Sequence, residues 1–140
     1  MSTAMEARVV TIATELDIVR VRQAVRDVAV RGRFSLVEQT KLVTAASELA
    51  RNALVHGGGG EVTVQVEPVG TGTRVRLVFV DHGPGIADLD QALTDGFTTG
   101  SGLGLGLGGA RRLVDEFHIE SAPGRGTTVT ISSTSGGAVR

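Results

Sequence analysis

The sequence predicts an α/β fold in one domain, and three observations carry that expectation. Short segments rich in β-branched residues, at Arg8–Thr14, Val62–Glu67, Arg74–Asp81 and Gly126–Ser132, read as strands, whereas longer stretches with apolar residues every three to four positions read as helices. The 140 residues suit one core of ordinary size, since two separate domains would need roughly 100 residues each. With 41% hydrophobic and 21% charged residues the chain is close to globular norms, which argues against disorder throughout.

The elements follow in order. Arg8–Thr14 is bounded by charge and forms the first strand. Asp17 can cap a helix whose Ile18, Val21, Val25 and Val28 share a face, with Gly32 as the natural stop. Ser35-Leu-Val-Glu38 has the form of a capping box, in which the hydroxyl accepts from one amide and the glutamate reaches back to another. It opens a second helix to about His56, whose Leu42, Ala45, Ala46, Leu49, Ala53 and Leu54 make a small-residue stripe suited to close packing on a sheet. Four glycines at 57–60 end it. Val62–Glu67 and Arg74–Asp81 are joined by a short glycine-bearing connection over 68–73, so an antiparallel hairpin is the economical topology, and Thr63, Gln65 and Glu67 fall on a face that can stay wet. A short helix over Asp88–Asp95 precedes a longer one over Leu107–Phe117, with Ala110, Leu113 and Val114 on one face. Strands Phe117–Ala122 and Gly126–Ser132 then flank the Pro123-Gly-Arg-Gly126 turn, and Thr134–Arg140 reads as a frayed tail.

Composition narrows the function classes. Fourteen Lys+Arg against fifteen Asp+Glu leave a charge of −1, which supplies no overall basic field for nucleic acid. Without Cys there is neither a disulfide nor a thiolate metal site, and the three His have no zinc-type spacing. No segment has signal-peptide character or approaches the roughly 20 apolar residues of a membrane span, so a cytoplasmic protein is expected. Glycine is the abnormal figure: 20 residues, about twice the usual share, concentrated at 57–60, 83–85 and 96–109.

Three segments carry candidate chemistry. Glu48 and Asn52 lie four apart on the second helix and share a face with Arg51 nearby; a carboxylate and an amide there can position Mg²⁺ and a nucleophile, or simply form the wet side of an amphipathic helix. Asp81-His-Gly-Pro-Gly-Ile86 ends an apolar strand, where a carboxylate can accept from an amino group such as that of adenine; an ordinary turn is the plain alternative. Gly100-Ser-Gly-Leu-Gly-Leu-Gly-Leu107 opens into a helix, an arrangement that aims amides at phosphate, although a flexible loop is the competing reading. It lacks the Gly-Lys-Ser/Thr of a P-loop and the βαβ setting of a dinucleotide fold. Arg51 either stabilises phosphate charge or makes a surface ion pair with Glu48 or the neighbours of Ser47. His56 and His82 are adequately explained as a helix-end and a turn residue, and Phe97 either anchors a nucleotide lid or packs.

In order and content these segments resemble the GHKL ATPases of the Bergerat fold, the superfamily of histidine kinases, gyrase, MutL and the large heat-shock chaperones. The resemblance covers about residues 8–133 of a single domain, with Gly124-Arg-Gly-Thr127 matching the turn before the closing strand. It narrows through SELARNALVHG, DHGPGI and DGFTTGSGLGLGLGGARRLVDEF to the small bacterial serine kinases and anti-sigma factors, most closely the RsbT-like switch kinases. The resemblance implies an α/β two-layer sandwich: a mixed, largely antiparallel sheet, helices on one face, and ATP·Mg²⁺ on the helical side. It implies that Asn52 holds Mg²⁺, that Asp81 reads the adenine amino group with help from Thr127, and that Glu48 is the general base. Gly83, Gly85, Ile86, Gly100, Gly102, Leu103, Gly104, Leu105, Gly106 and Leu107 would shape the nucleotide pocket. The expected activity is phosphorylation of a serine or threonine on a STAS-type anti-sigma-factor antagonist. The alternatives are an anti-sigma factor that sequesters a sigma subunit, a module activating a PP2C-type phosphatase, and a plain ATPase. Monomer and homodimer both remain open.

Overall fold

The structure, a computed structural model, describes residues 6–93 and 106–136. Five strands, β1 (Glu6–Ile12), β2 (Gly60–Val69), β3 (Gly72–Asp81), β4 (Glu116–Ser121) and β5 (Thr127–Thr134), form one sheet in the order β1-β2-β3-β5-β4. Every described pairing is antiparallel, so the expected mixed sheet is here wholly antiparallel. The helices are α1 (Glu15–Arg31), α2 (Leu36–Val55), α3 (Leu89–Ala92) and α4 (Leu107–Arg112). None of the described helices is long and apolar enough to cross a membrane.

Alternation along the strands sorts the sheet into two faces. Register aligns Val62 with Phe79 and Val129, and Val64 with Leu77 and Ile131, so these buried residues occupy one face. α1 and α2 cover it with Ile18, Val21, Val25, Val28, Leu42, Ala45, Ala46 and Leu49, all buried. The opposite face carries Thr63, Gln65 and Glu67, half-buried as the hairpin pattern predicts, with Glu67 paired to Arg74 at 3.6 Å.

Several boundaries differ from expectation for local reasons. Thr14, not Asp17, caps α1: its hydroxyl accepts from the Asp17 amide, and Asp17 is the carboxylate that reaches back. The hairpin turn contracts to Gly70 and Thr71, because pairing continues to Val69 and Gly72. α4 stops at Arg112 instead of running to Phe117; Gly108 and Gly109 weaken it, and the Asp115 amide is taken by the Ser132 carbonyl at 3.0 Å, which starts β4. The expected fraying from Thr134 does not hold for the described residues: Thr134 ends β5, and Ser135 is buried, its hydroxyl donating to the Gly32 carbonyl at 2.6 Å.

Candidate active site

One row of the sheet organises the site. Gly60, Asp81, Thr127 and Ser121 stand side by side on β2, β3, β5 and β4. Asp81 is the last residue of β3, so its carboxylate emerges where the apolar strand gives way to the Gly83–Gly85 loop. Its Oδ1 accepts from the Gly83 amide at 2.9 Å, which fixes the loop against the strand end. Close approach explains two glycines: a Cβ on Gly57 would strike the Asp81 carboxyl, and one on Gly83 would stand 2.6 Å from Gly57 Cα.

Above this row lies a cavity of about 250 Å³. α2 contributes Leu49, Asn52 and Ala53, β3 and β5 contribute Phe79 and Val129, and Ile86 and Leu107 close the sides. The walls are therefore apolar, while Asp81 and Thr127 put oxygens at one end and Asn52 puts an amide on the helical side. Such a slot suits a flat heteroaromatic ring carrying an exocyclic amine, with polar substituents leaving past α2. The residues present fit a purine nucleotide: acceptors for an amine at one end and apolar walls for the ring.

The loop after β3 is tied down from β4. The Ile86 amide donates to Ser121 Oγ at 2.8 Å, Ser121 Oγ donates to the Gly126 carbonyl at 2.9 Å, and the Gly124 amide donates to the Pro84 carbonyl at 2.7 Å. Ser121 was not singled out by sequence reasoning. Its only signal is a hydroxyl that ends an alternating strand, six residues before Thr127.

Asn52, Asp81, Gly85, Ile86, Leu107 and Thr127 all line the cavity, with Gly83 behind Asp81. Glu48 is exposed on α2 one turn before Asn52, and its carboxylate lies against Gly106: a Cβ there would be 2.6 Å from Oε1. Arg51 makes a surface ion pair, its guanidinium 3.4 Å from Glu15 of α1 and not on Glu48, and it is not among the residues lining the cavity. His56 lines the cavity at the helix end, whereas His82 is exposed. Gly100, Gly102, Leu103, Gly104, Leu105 and Phe97 lie outside the described residues.

A helix-covered antiparallel sheet, with an acidic strand end facing an asparagine-bearing helix, defines a class of ATP-binding domain. Residues 37–135 match the family of histidine kinase-, DNA gyrase B- and HSP90-like ATPases, and the chain belongs to that family. Within it, the chain is 42% identical over 120 residues to the serine/threonine-protein kinase RsbT of Bacillus subtilis (strain 168), covering 86% of this chain and 90% of that protein. It is 33% identical over 102 residues to the anti-sigma F factor of Anoxybacillus flavithermus, covering 69% of this chain and 70% of the relative. The structure of the RsbU and RsbW domains of Rv1364c from Mycobacterium tuberculosis superposes with a TM-score of 0.63 at 25% identity, over 94% of this chain and 32% of that one. This chain thus spans about a third of that larger protein. The catalytic domain of the histidine kinase ThkA has the same fold, with a TM-score of 0.52 at 17% identity, over 91% of this chain and 95% of that one.

Proposed function

We propose that the protein is an ATP-dependent serine/threonine kinase of a bacterial partner-switching pathway, acting in the cytoplasm on a STAS-type anti-sigma-factor antagonist. The observation that carries this reading is 42% identity, over nearly the full length of both chains, to a serine/threonine-protein kinase. The position of Glu48 supports it. Glu48 is exposed beside Gly106, one helical turn before the cavity residue Asn52, where an incoming hydroxyl can reach its carboxylate.

The roles divide by place. Asp81 and Thr127 take the adenine end, and Ile86 and Leu107 sandwich the ring. Gly83 and Gly85, packed against Gly57 and the Ala122 carbonyl, shape the loop at that end, and Gly100, Gly102, Leu103, Gly104, Leu105 and Gly106 are assigned to the same nucleotide pocket. Asn52 would hold Mg²⁺, its side-chain amide supplying an oxygen of the hard kind that ion prefers. Bound ATP supplies the γ-phosphoryl group. Glu48 takes the proton from the partner's serine or threonine hydroxyl as that oxygen bonds to the γ-phosphorus and the bond to ADP breaks, and phosphorylation then adds roughly −2 charge at the contact and resets the complex. Arg51, held by Glu15, is left to orient α1 against α2 unless partner binding releases it for phosphate.

The purified protein and its Glu48→Ala variant should be incubated with γ-labelled Mg²⁺·ATP and lysate of the source organism, and labelled proteins identified by mass spectrometry. Label on a serine or threonine with the wild type alone is expected, and the variant should lose at least about 100-fold in transfer while nucleotide affinity holds. Asn52→Ala should lose Mg²⁺-dependent affinity. The anti-sigma factor relatives favour one second reading, a binding module that sequesters a sigma factor. Nucleotide binding without any transferred label would establish that reading instead.

A further inference from the structure

Ser121 does not line the cavity, yet it fixes the chemistry of a residue that does. Its Oγ has three neighbours: the Ile86 amide at 2.8 Å, the Gly126 carbonyl at 2.9 Å and Thr127 Oγ1 at 2.8 Å. A hydroxyl has one proton and two lone pairs. The Gly126 carbonyl can only accept, so the Ser121 proton is committed to it, and the Ile86 amide occupies one lone pair. The remaining lone pair can meet Thr127 only if Thr127 donates. Thr127's single proton therefore points toward β4 and away from the cavity, where Oγ1 offers lone pairs alone. Its neighbour in the row, the Asp81 carboxylate, is also an acceptor.

We infer that Ser121 is a positioning residue for base selectivity: by holding the Thr127 hydroxyl as an acceptor, it makes the polar end of the cavity acceptor-only. Such an end favours a purine with an amine at its 6-position and disfavours one with a carbonyl there, which would face two sets of lone pairs. This rests on the nucleotide reading above and adds to it a residue that acts from outside the pocket.

The test compares the dissociation constants of ATP and inosine triphosphate, which differ at that position, by calorimetry. Wild type should prefer ATP. Ser121→Ala frees the Thr127 hydroxyl to turn its proton into the cavity and donate to a carbonyl, so the preference should shrink roughly fivefold, the worth of one ordinary hydrogen bond. Ser121→Thr, which keeps the hydroxyl, should restore it. Equal weakening of both nucleotides by Ser121→Ala, with the ratio unchanged, would mean a structural clamp only and overturn the inference. Should Ser121→Ala not fold, Thr127→Val leaves the bonds from Ser121 to Ile86 and Gly126 in place; it too must narrow the ratio, and an unchanged ratio refutes the inference. Wild type without affinity for ATP would refute the nucleotide reading as well, whereas wild type that binds ATP with a ratio indifferent to these variants refutes the role of Ser121 alone.

Discussion

A single carboxylate, Asp17, ties the start of α1 to the end of β1. Its Oδ2 accepts from the amides of Ala13 at 2.8 Å and Thr14 at 3.0 Å, and Arg20 donates to Oδ1 at 2.9 Å. The Ala13 amide is the main reason the carboxyl ionises below its ordinary 3.8; burial opposes this, and the Thr14 and Arg20 bonds reinforce it. Because the folded value is depressed, the stabilisation is fully present above the unfolded value of about 4 and is lost as pH falls through the folded one. Denaturant titrations of wild type and Asp17→Asn should therefore differ most near neutrality and converge below about pH 4; a constant difference down to acid would show that the charge is immaterial. The sequence marked Asp17 as a helix-start residue but put it in the wrong role. Thr14 and Asp17 are both good caps by type, and only the extended backbone of Thr14, at φ −141° and ψ 167°, decides between them.

At the level of elements, the α1–α2 junction exposes a similar ambiguity. Gly32 ends α1 as its sequence suggests, yet it does so at φ −83°, and the left-handed residue is Arg33, at φ 66°. Gly32 is glycine for closeness: a Cβ there would stand 3.0 Å from Thr73 of β3. Arg33 bears the conformational cost instead, while buried Phe34 anchors the turn through its amide to the Ala29 carbonyl at 3.0 Å. Arg33→Gly should raise stability by about 0.5–1 kcal/mol, read as a higher urea midpoint at unchanged slope; a lower midpoint would mean that the arginine side chain contributes more than its backbone costs. α2 was legible almost to the residue, because its capping box and small-residue stripe agree. α4 was not: Leu113 and Val114 continue a helical spacing, but the bonds that end the helix join Asp115 to Ser132, Ser133 and Thr134, up to 19 residues downstream, and no local window contains them.

For the molecule as a whole, the division into a helix-covered face and a polar face was readable from alternation alone. The cavity residues Asn52, Asp81 and Thr127 were not readable that way; the resemblance of their segments to a known family singled them out. Arg51 and Ser121 were harder. The partner of the first, Glu15, lies on another helix, and the importance of the second appears only when β4 pairs with β5. That dependence on pairing has a consequence in time. Asp81 and Thr127 become neighbours only when β3 and β5 close the whole stretch between them, among the slower events in a chain of non-local contacts. The pocket is thus expected to mature after the barrier to folding has been crossed. Saturating Mg²⁺·ATP in stopped-flow experiments should slow unfolding and leave the refolding limb where it was; faster refolding would place the pocket in the transition state. A nascent chain would then gain nothing from the nucleotide on the way up, and the cell's ATP would act on this protein chiefly by delaying its loss.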